Sequence, residues 1–131
     1  MTTKKMIRYQ MTAPGAPLDP VESPLPEPGA GEVLIEIAGC GVCHTDVGFY
    51  SGAVKTKQPL PMTLGHEISG RVVKAGPGDD SAARLMGQAV IVPAVIPCGA
   101  CDACAEGRGS ICPSQIFLGN DIHGGFATHV L

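Results

Sequence analysis

Residues 98 to 112 read CGACDACAEGRGSIC and put Cys98, Cys101, Cys104 and Cys112 into one short loop of a chain whose only other cysteines are Cys40 and Cys43. The spacing C-x2-C-x2-C-x7-C lets four sulfurs converge on one cation, with Gly99, Gly107 and Gly109 permitting the tight turns. Four thiolates close a tetrahedral shell and leave no position for a substrate, so the loop reads as a structural zinc site. An iron-sulfur cluster is the rival, since Cys112 is followed by Pro113 as in ferredoxins, but there the last spacer is three residues rather than seven.

A second constellation is split between GCGVCHTD (39 to 46) and LGHEISG (64 to 70). Cys43 and His66 offer one thiolate and one imidazole, and Glu67 offers a third ligand or a close neighbour. A catalytic zinc keeps three protein ligands and one open position, which this set would suit. Asp46 is the right residue type to accept a hydrogen bond from the non-ligating nitrogen of His66. Thr45 carries a hydroxyl able to pass a proton to or from an alcohol. Singly, each has a plainer reading: His66 as a core histidine, Asp46 as a helix cap, Glu67 as a solvated carboxylate. Cys40 and Cys43 also form C-x-x-C, a thioredoxin-type pattern, but the flanking sequence is not a βαβ unit, and Cys40 reads as a small buried residue closing a strand.

Short β-rich runs bounded by Gly and Pro occur at 6–12, 32–38, 68–76, 89–96 and 126–131. Val33, Ile35 and Ile37 share one face and Glu36 points to the other. One short helix is expected over HTDVGFYSG, 44 to 52, with Thr45 or Asp46 capping its start and Gly52 ending it. The proline-rich stretch from Pro14 to Pro28 reads as an ordered extended crossing that contains a strand. These features predict a mainly β fold, a partly open barrel with few short helices, in a single domain spanning 1–131 with a zinc lobe at about 95–115.

Composition narrows the function. With a formal charge of -3, scattered Lys and Arg, and 4% aromatic residues, the chain offers neither a basic stripe nor stacking groups for nucleic acid. The most apolar stretch, 89–96, is broken by Pro93 and too short to span a bilayer. No signal-peptide pattern follows Lys4, Lys5 and Arg8, so a soluble cytoplasmic protein is expected, in which cysteines favour metal over disulfides.

Together and in this order, the segments PGAGEVLIEIAGCGVCHTD, PLPMTLGHEISGRVVKAG and CGACDACAEGRGSIC resemble the zinc-dependent medium-chain dehydrogenases, the alcohol dehydrogenase family. The resemblance covers nearly the whole chain. It implies a GroES-like catalytic domain in which Cys43 and His66 hold the catalytic zinc with Glu67 close behind, and Cys98, Cys101, Cys104 and Cys112 hold the structural one. Thr45 would begin the proton relay, Asp46 would orient His66, and His44 would face the coenzyme pyrophosphate. The implied activity is oxidation of an alcohol, secondary and possibly bulky or coenzyme A-linked, to a carbonyl with NAD or NADP as hydride acceptor. The family's nicotinamide-binding domain is expected C-terminal to residue 131, and homo-oligomers are expected to form through it. Gly48 stands where many members carry a relay histidine, and Ala94 stands near an aromatic wall of the substrate pocket. The alternative is a non-catalytic GroES-like zinc-binding module serving assembly.

Overall fold

The computed structural model describes residues 4–131. Eight strands and three short helices follow in order: β1 (Lys5–Gln10), β2 (Asp19–Pro24), β3 (Val33–Gly41), α1 (His44–Ser51), β4 (Glu67–Ala75), α2 (Asp80–Arg84), β5 (Ala89–Val92), β6 (Val95–Ile96), α3 (Asp102–Ala105), β7 (Ile116–Phe117) and β8 (His129–Val130). A 3-10 turn, Gly109–Ile111, follows α3. The central sheet has the order β5-β4-β3-β8, flanked by the β1-β2 and β6-β7 ribbons. The sheets stay open, and isolated bridges join them: Arg8 to Ala127, and Met11 to Met62. Among the described residues, no helix is long and apolar enough to cross a membrane.

The long β3–β4 pair organises the molecule. It is antiparallel from Val33↔Ala75 to Gly41↔Glu67, with register shifts after Leu34 and after Ile37. Its inward faces supply Ile35, Ile68 and Val72 to a core shared with Leu118 and Val130, against which Val33 and Ile37 pack. Glu36 is exposed, in keeping with strict alternation at that point. A second cluster of Met11, Phe49, Met62 and Leu64 lies under helix α1.

The helix α1 stands where the sequence places it, but Cys43 is its N-cap residue, and Asp46 serves from inside the first turn. Gly52 ends it in the left-handed conformation, φ +80°. The expected single strand over 89–96 is two strands in different sheets. Pro93 has no N–H for the ladder, and the Ala94 carbonyl is taken by the Leu118 amide at 3.1 Å. The run at 126–131 is regular strand only at His129–Val130; Phe126 and Thr128 instead bond outward, to Tyr9 and to Ile7 and Ile37. Helices α2 and α3 and strand β7 had no sequence signal. They are two to five residues long, too short to show a period; α2 is fixed by its cap Asp79, whose Oδ1 accepts from the Ser81 amide at 2.8 Å, and β7 by pairing with β6.

Candidate metal centres

Antiparallel pairing brings the two halves of the split constellation together. β3 ends at Gly41, opposite Glu67 at the start of β4, so Cys43 just past one strand and His66 just before the other meet at the same end of the ribbon. Cys43 Sγ lies 3.0 Å from His66 Nε2. The ligand atoms of Cys43, His66 and Glu67 all fall within 4.8 Å of one another. A sulfur and an imidazole nitrogen sharing a tetrahedral zinc would stand about 3.5 Å apart, so a small opening of this contact admits the ion. His66 is 6% exposed, and Glu67 is solvent-exposed at the rim. The Glu67 side chain folds over Gly41, where a Cβ would collide with its carboxylate.

Asp46, 2% exposed, is the hub of this site, joining the helix-capping contact expected of it to a second bond the sequence did not indicate. Its Oδ2 accepts the Cys43 amide at 3.0 Å and its Oδ1 accepts the Gly65 amide at 3.1 Å, so one carboxylate ties together the two backbone segments that present Cys43 and His66. The expected hydrogen bond from His66 is not formed. Asp46 Oδ1 lies 3.5 Å from His66 Nδ1, in ion-pair range, but the buried Nδ1 has no hydrogen-bond partner. Each carboxylate oxygen accepts one amide and keeps a lone pair free, so the His66 ring stands beside an available acceptor, at 3.5 Å, without a hydrogen bond to it. A ring that coordinates through Nε2 needs an acceptor at Nδ1, and the nearby Asp46 oxygen supplies a fitting one.

The sequence also did not indicate Phe117, whose ring packs against His66 at 4.8 Å between centroids and 55° between planes. Gly65 is required by geometry: its φ is +100°, and a Cβ there would lie 2.8 Å from Cys40 Sγ and 2.9 Å from the Phe126 amide. His44 and Thr45 are exposed on the first turn of α1 and join no hydrogen bond of the cluster. Gly48 faces Val54 with room for a Cβ at 3.8 Å. Cys40 sits in the β3 ladder opposite Ile68, half-buried against the core, and burial pushes its thiol pKa up. A raised thiol pKa in a strand is the reverse of what a redox pair with Cys43 would need.

The second centre forms inside the 98–112 loop, where helix α3 and the 3-10 turn fold the four cysteines together. The sulfur separations are 3.5 Å for Cys101–Cys104, 3.8 Å for Cys101–Cys112 and 4.0 Å for Cys98–Cys104. Four sulfurs about 2.3 Å from one tetrahedral ion stand about 3.8 Å apart, so the donor set fits zinc without rearrangement. Backbone amides already point at the sulfurs, Ala100 to Cys98 at 3.5 Å and Cys98 to Cys112 at 3.4 Å. The Ala100 amide, then the Cys112 side chain and the Cys101 amide, draw the Cys98 thiol down to about 6. Desolvation, then sharing a hydrogen bond with Cys101, holds the Cys104 thiol up to about 11. Without a cation, four thiolates cannot coexist at these distances, and the cluster keeps protons on some of its members.

The profile of the alcohol dehydrogenase GroES-like domain matches residues 29–131. The chain belongs to this family. An L-threonine 3-dehydrogenase from Pyrococcus horikoshii is 34% identical to this GroES-like domain over 131 residues, covering 98% of this chain and 37% of that protein. A D-arabinose 1-dehydrogenase (NADP(+)) from Saccharolobus solfataricus is 40% identical over 117 residues, covering 88% of this chain and 32% of its own length. Among solved structures, a cobalt- and zinc-bound thermostable alcohol dehydrogenase from Pyrobaculum aerophilum superposes with a TM-score of 0.84 at 34% identity, over 97% of this chain and 39% of the other. The chain therefore spans roughly a third of the length of the relatives it matches.

Proposed function

We propose that this chain is the catalytic-domain portion of a zinc-dependent, NAD(P)-linked dehydrogenase that oxidises an alcohol to a carbonyl. The observation that carries the reading is the convergence of Cys43 and His66, 3.0 Å apart, with Glu67 from two separate segments. When bound, zinc supplies Lewis acidity that lowers the alcohol's pKa, and the nicotinamide supplies the hydride acceptor. Cys43 and His66 hold the metal, and Glu67 stands at its rim as a third ligand or a close neighbour. Asp46 fixes the backbone on both sides. Thr45, exposed on α1, takes the alcohol proton toward solvent, and His44 beside it contacts the coenzyme pyrophosphate. The four-cysteine lobe, about 95–115, has no open position and serves structure. The nicotinamide-binding domain belongs to sequence C-terminal to residue 131, and copies of the enzyme associate through it. A secondary alcohol is the substrate class we favour, supported by a relative named for position 3 of L-threonine.

Metal analysis tests this directly. The zinc-loaded protein should hold two ions per chain, one lost quickly to a chelator before any unfolding and one lost only with the lobe. Cys43→Ser should remove the first alone. A freshly prepared wild-type protein with a single zinc would sink the reading.

A further inference from the structure

The segment that delivers His66 is buried along its length: Met62 and Thr63 are 0% exposed, Leu64 2% and His66 6%. It is laced to residues 123–126 by backbone hydrogen bonds from Gly124 to Thr63, from Phe126 to Leu64 and from Gly125 to Gly65, at 2.7 to 2.9 Å. Those bonds use the carbonyls of the segment; two of its own amides are taken by side chains, that of Gly65 by Asp46 Oδ1 at 3.1 Å and that of Thr63 by a ring. The Thr63 N–H donates to Nδ1 of His123, at 3.1 Å. On the far side of that ring, the Gln58 carboxamide comes within 3.2 Å of Nε2. The structure sets the carboxamide nitrogen of Gln58 at that distance; since Nδ1 accepts from Thr63, the neutral ring carries its proton on Nε2, and pairing with it requires the carboxamide turned end for end, its oxygen toward the ring. Gln58 is itself held by a hydrogen bond from its backbone N–H to the Asn120 carbonyl, 2.9 Å.

We propose that His123 is a positioning residue for the Cys43–His66 metal site, its neutral imidazole locking the buried segment that ends in His66 between Gln58 and the Thr63 amide. This rests on reading Cys43 and His66 as a metal site. The lock requires an acceptor at Nδ1, so a protonated ring would turn that nitrogen into a second donor facing the Thr63 N–H. The surroundings oppose protonation. Burial, and then the charge of Arg8 on β1, hold the His123 pKa below its ordinary value. Glu32 and His129 line the same cleft of about 260 Å³. On the flanking loops Lys57 pairs with Asp121 at 3.2 Å.

The shape of the contact gives a discriminating pair of variants. In His123→Asn the side-chain oxygen falls where Nδ1 stood and can still accept from Thr63. In His123→Gln the carboxamide reaches the Nε2 position and leaves the Thr63 amide without an acceptor. On the zinc-loaded protein, hydrogen exchange at the Thr63 amide should be near wild type in His123→Asn and about tenfold faster in His123→Gln. Zinc loss from the Cys43–His66 site to a chelator should follow the same order, about tenfold faster in His123→Gln, with the four-cysteine zinc retained in all three proteins. Nitrogen-15 resonances of the wild-type ring should show Nδ1 bare and Nε2 protonated. Equal behaviour of the two variants, or equal acceleration of zinc loss from the lobe, would overturn the proposal. A wild-type protein that takes up only the lobe zinc overturns the metal-site reading instead, and Thr63 exchange then judges the His123 contact by itself.

Discussion

At the scale of single residues, Asp46 is the most exacting position in the molecule. Each of its oxygens accepts one backbone amide, Cys43 and Gly65, and neither bond has an alternative acceptor in view. Asp46→Asn keeps the volume but turns one acceptor into a donor that faces an N–H. Leaving one buried amide unpaired costs about 1 to 3 kcal/mol, to be read as a lowered thermal midpoint. Because the same carboxylate supports both metal-bearing segments, affinity at the Cys43–His66 site should fall by about 10- to 100-fold in a chelator competition, with the four-cysteine site unchanged. An Asp46→Asn protein with wild-type affinity would mean that the tie is incidental. The four lobe cysteines are legible in the sequence by chemistry and spacing, whereas His66 and Glu67 have plainer readings alone and join Cys43 as a ligand set through the family resemblance. The capping contact of Asp46 at the start of α1 was readable too, but its bond to the Gly65 amide was not, because a distant backbone amide has no signature in a sequence. Phe117 was equally silent: its contact with His66 depends on a turn in which the Asp121 carboxylate accepts the Phe117 amide at 2.8 Å.

At the scale of elements, the β3–β4 ribbon and the lobe place their ligands by different means, and substitutions should separate them. The link from α1 to β4 passes through Gly65, where φ is +100° and no space exists for a Cβ. Gly65→Ala should cost about 1 to 3 kcal/mol from backbone strain and displacement of Phe126 or Cys40, and should weaken zinc at His66 in parallel. In the lobe, the short helix α3 and the turn after it bury none of their residues, so the zinc proposed for the four cysteines would be what holds them. Cys101→Ser therefore forfeits much of an apparent zinc-binding free energy on the order of 10 kcal/mol and should unfold the 98–112 loop. Cys43→Ser should leave the melt nearly unchanged, because the ribbon beneath it is held by its own ladder and core. Equal melts for the two cysteine variants would erase the distinction between a structural and a catalytic centre. The long strands were readable because β4 alternates from Glu67 to Val73 and β3 from Ile35 to Ala38, between its two register shifts. The two-residue strands β6, β7 and β8 were not, since their pairing is decided by where distant segments come to rest.

At the scale of the whole molecule, acid should act in two steps, set by groups whose folded pKa values lie below their ordinary ones. Such a group binds more protons unfolded than folded between those two values, so stability rises with pH across that window and falls as the solution is acidified. His123 opens the first window at its ordinary value of 6.5, with burial, then Arg8, keeping the folded ring neutral below it. Glu22 beside Lys5, Asp79 under the Ser81 hydroxyl and amides, and Asp121 under the Phe117 amide open the second, starting near 4.5 and 3.8. The thermal midpoint should thus begin to fall as pH drops below about 6.5 and fall again below about 4.5. The exposed Lys5–Glu22 share should shrink in high salt. Zinc thiolates also take up protons on acidification, but they are the same in wild type and His123→Asn. The difference between those two melts therefore isolates the ring: the first step should vanish in His123→Asn and the second should persist. Parallel curves from pH 7 down to pH 5 would show that the Thr63–His123 bond contributes nothing to the fold, and with it the lock on the His66 segment would fall.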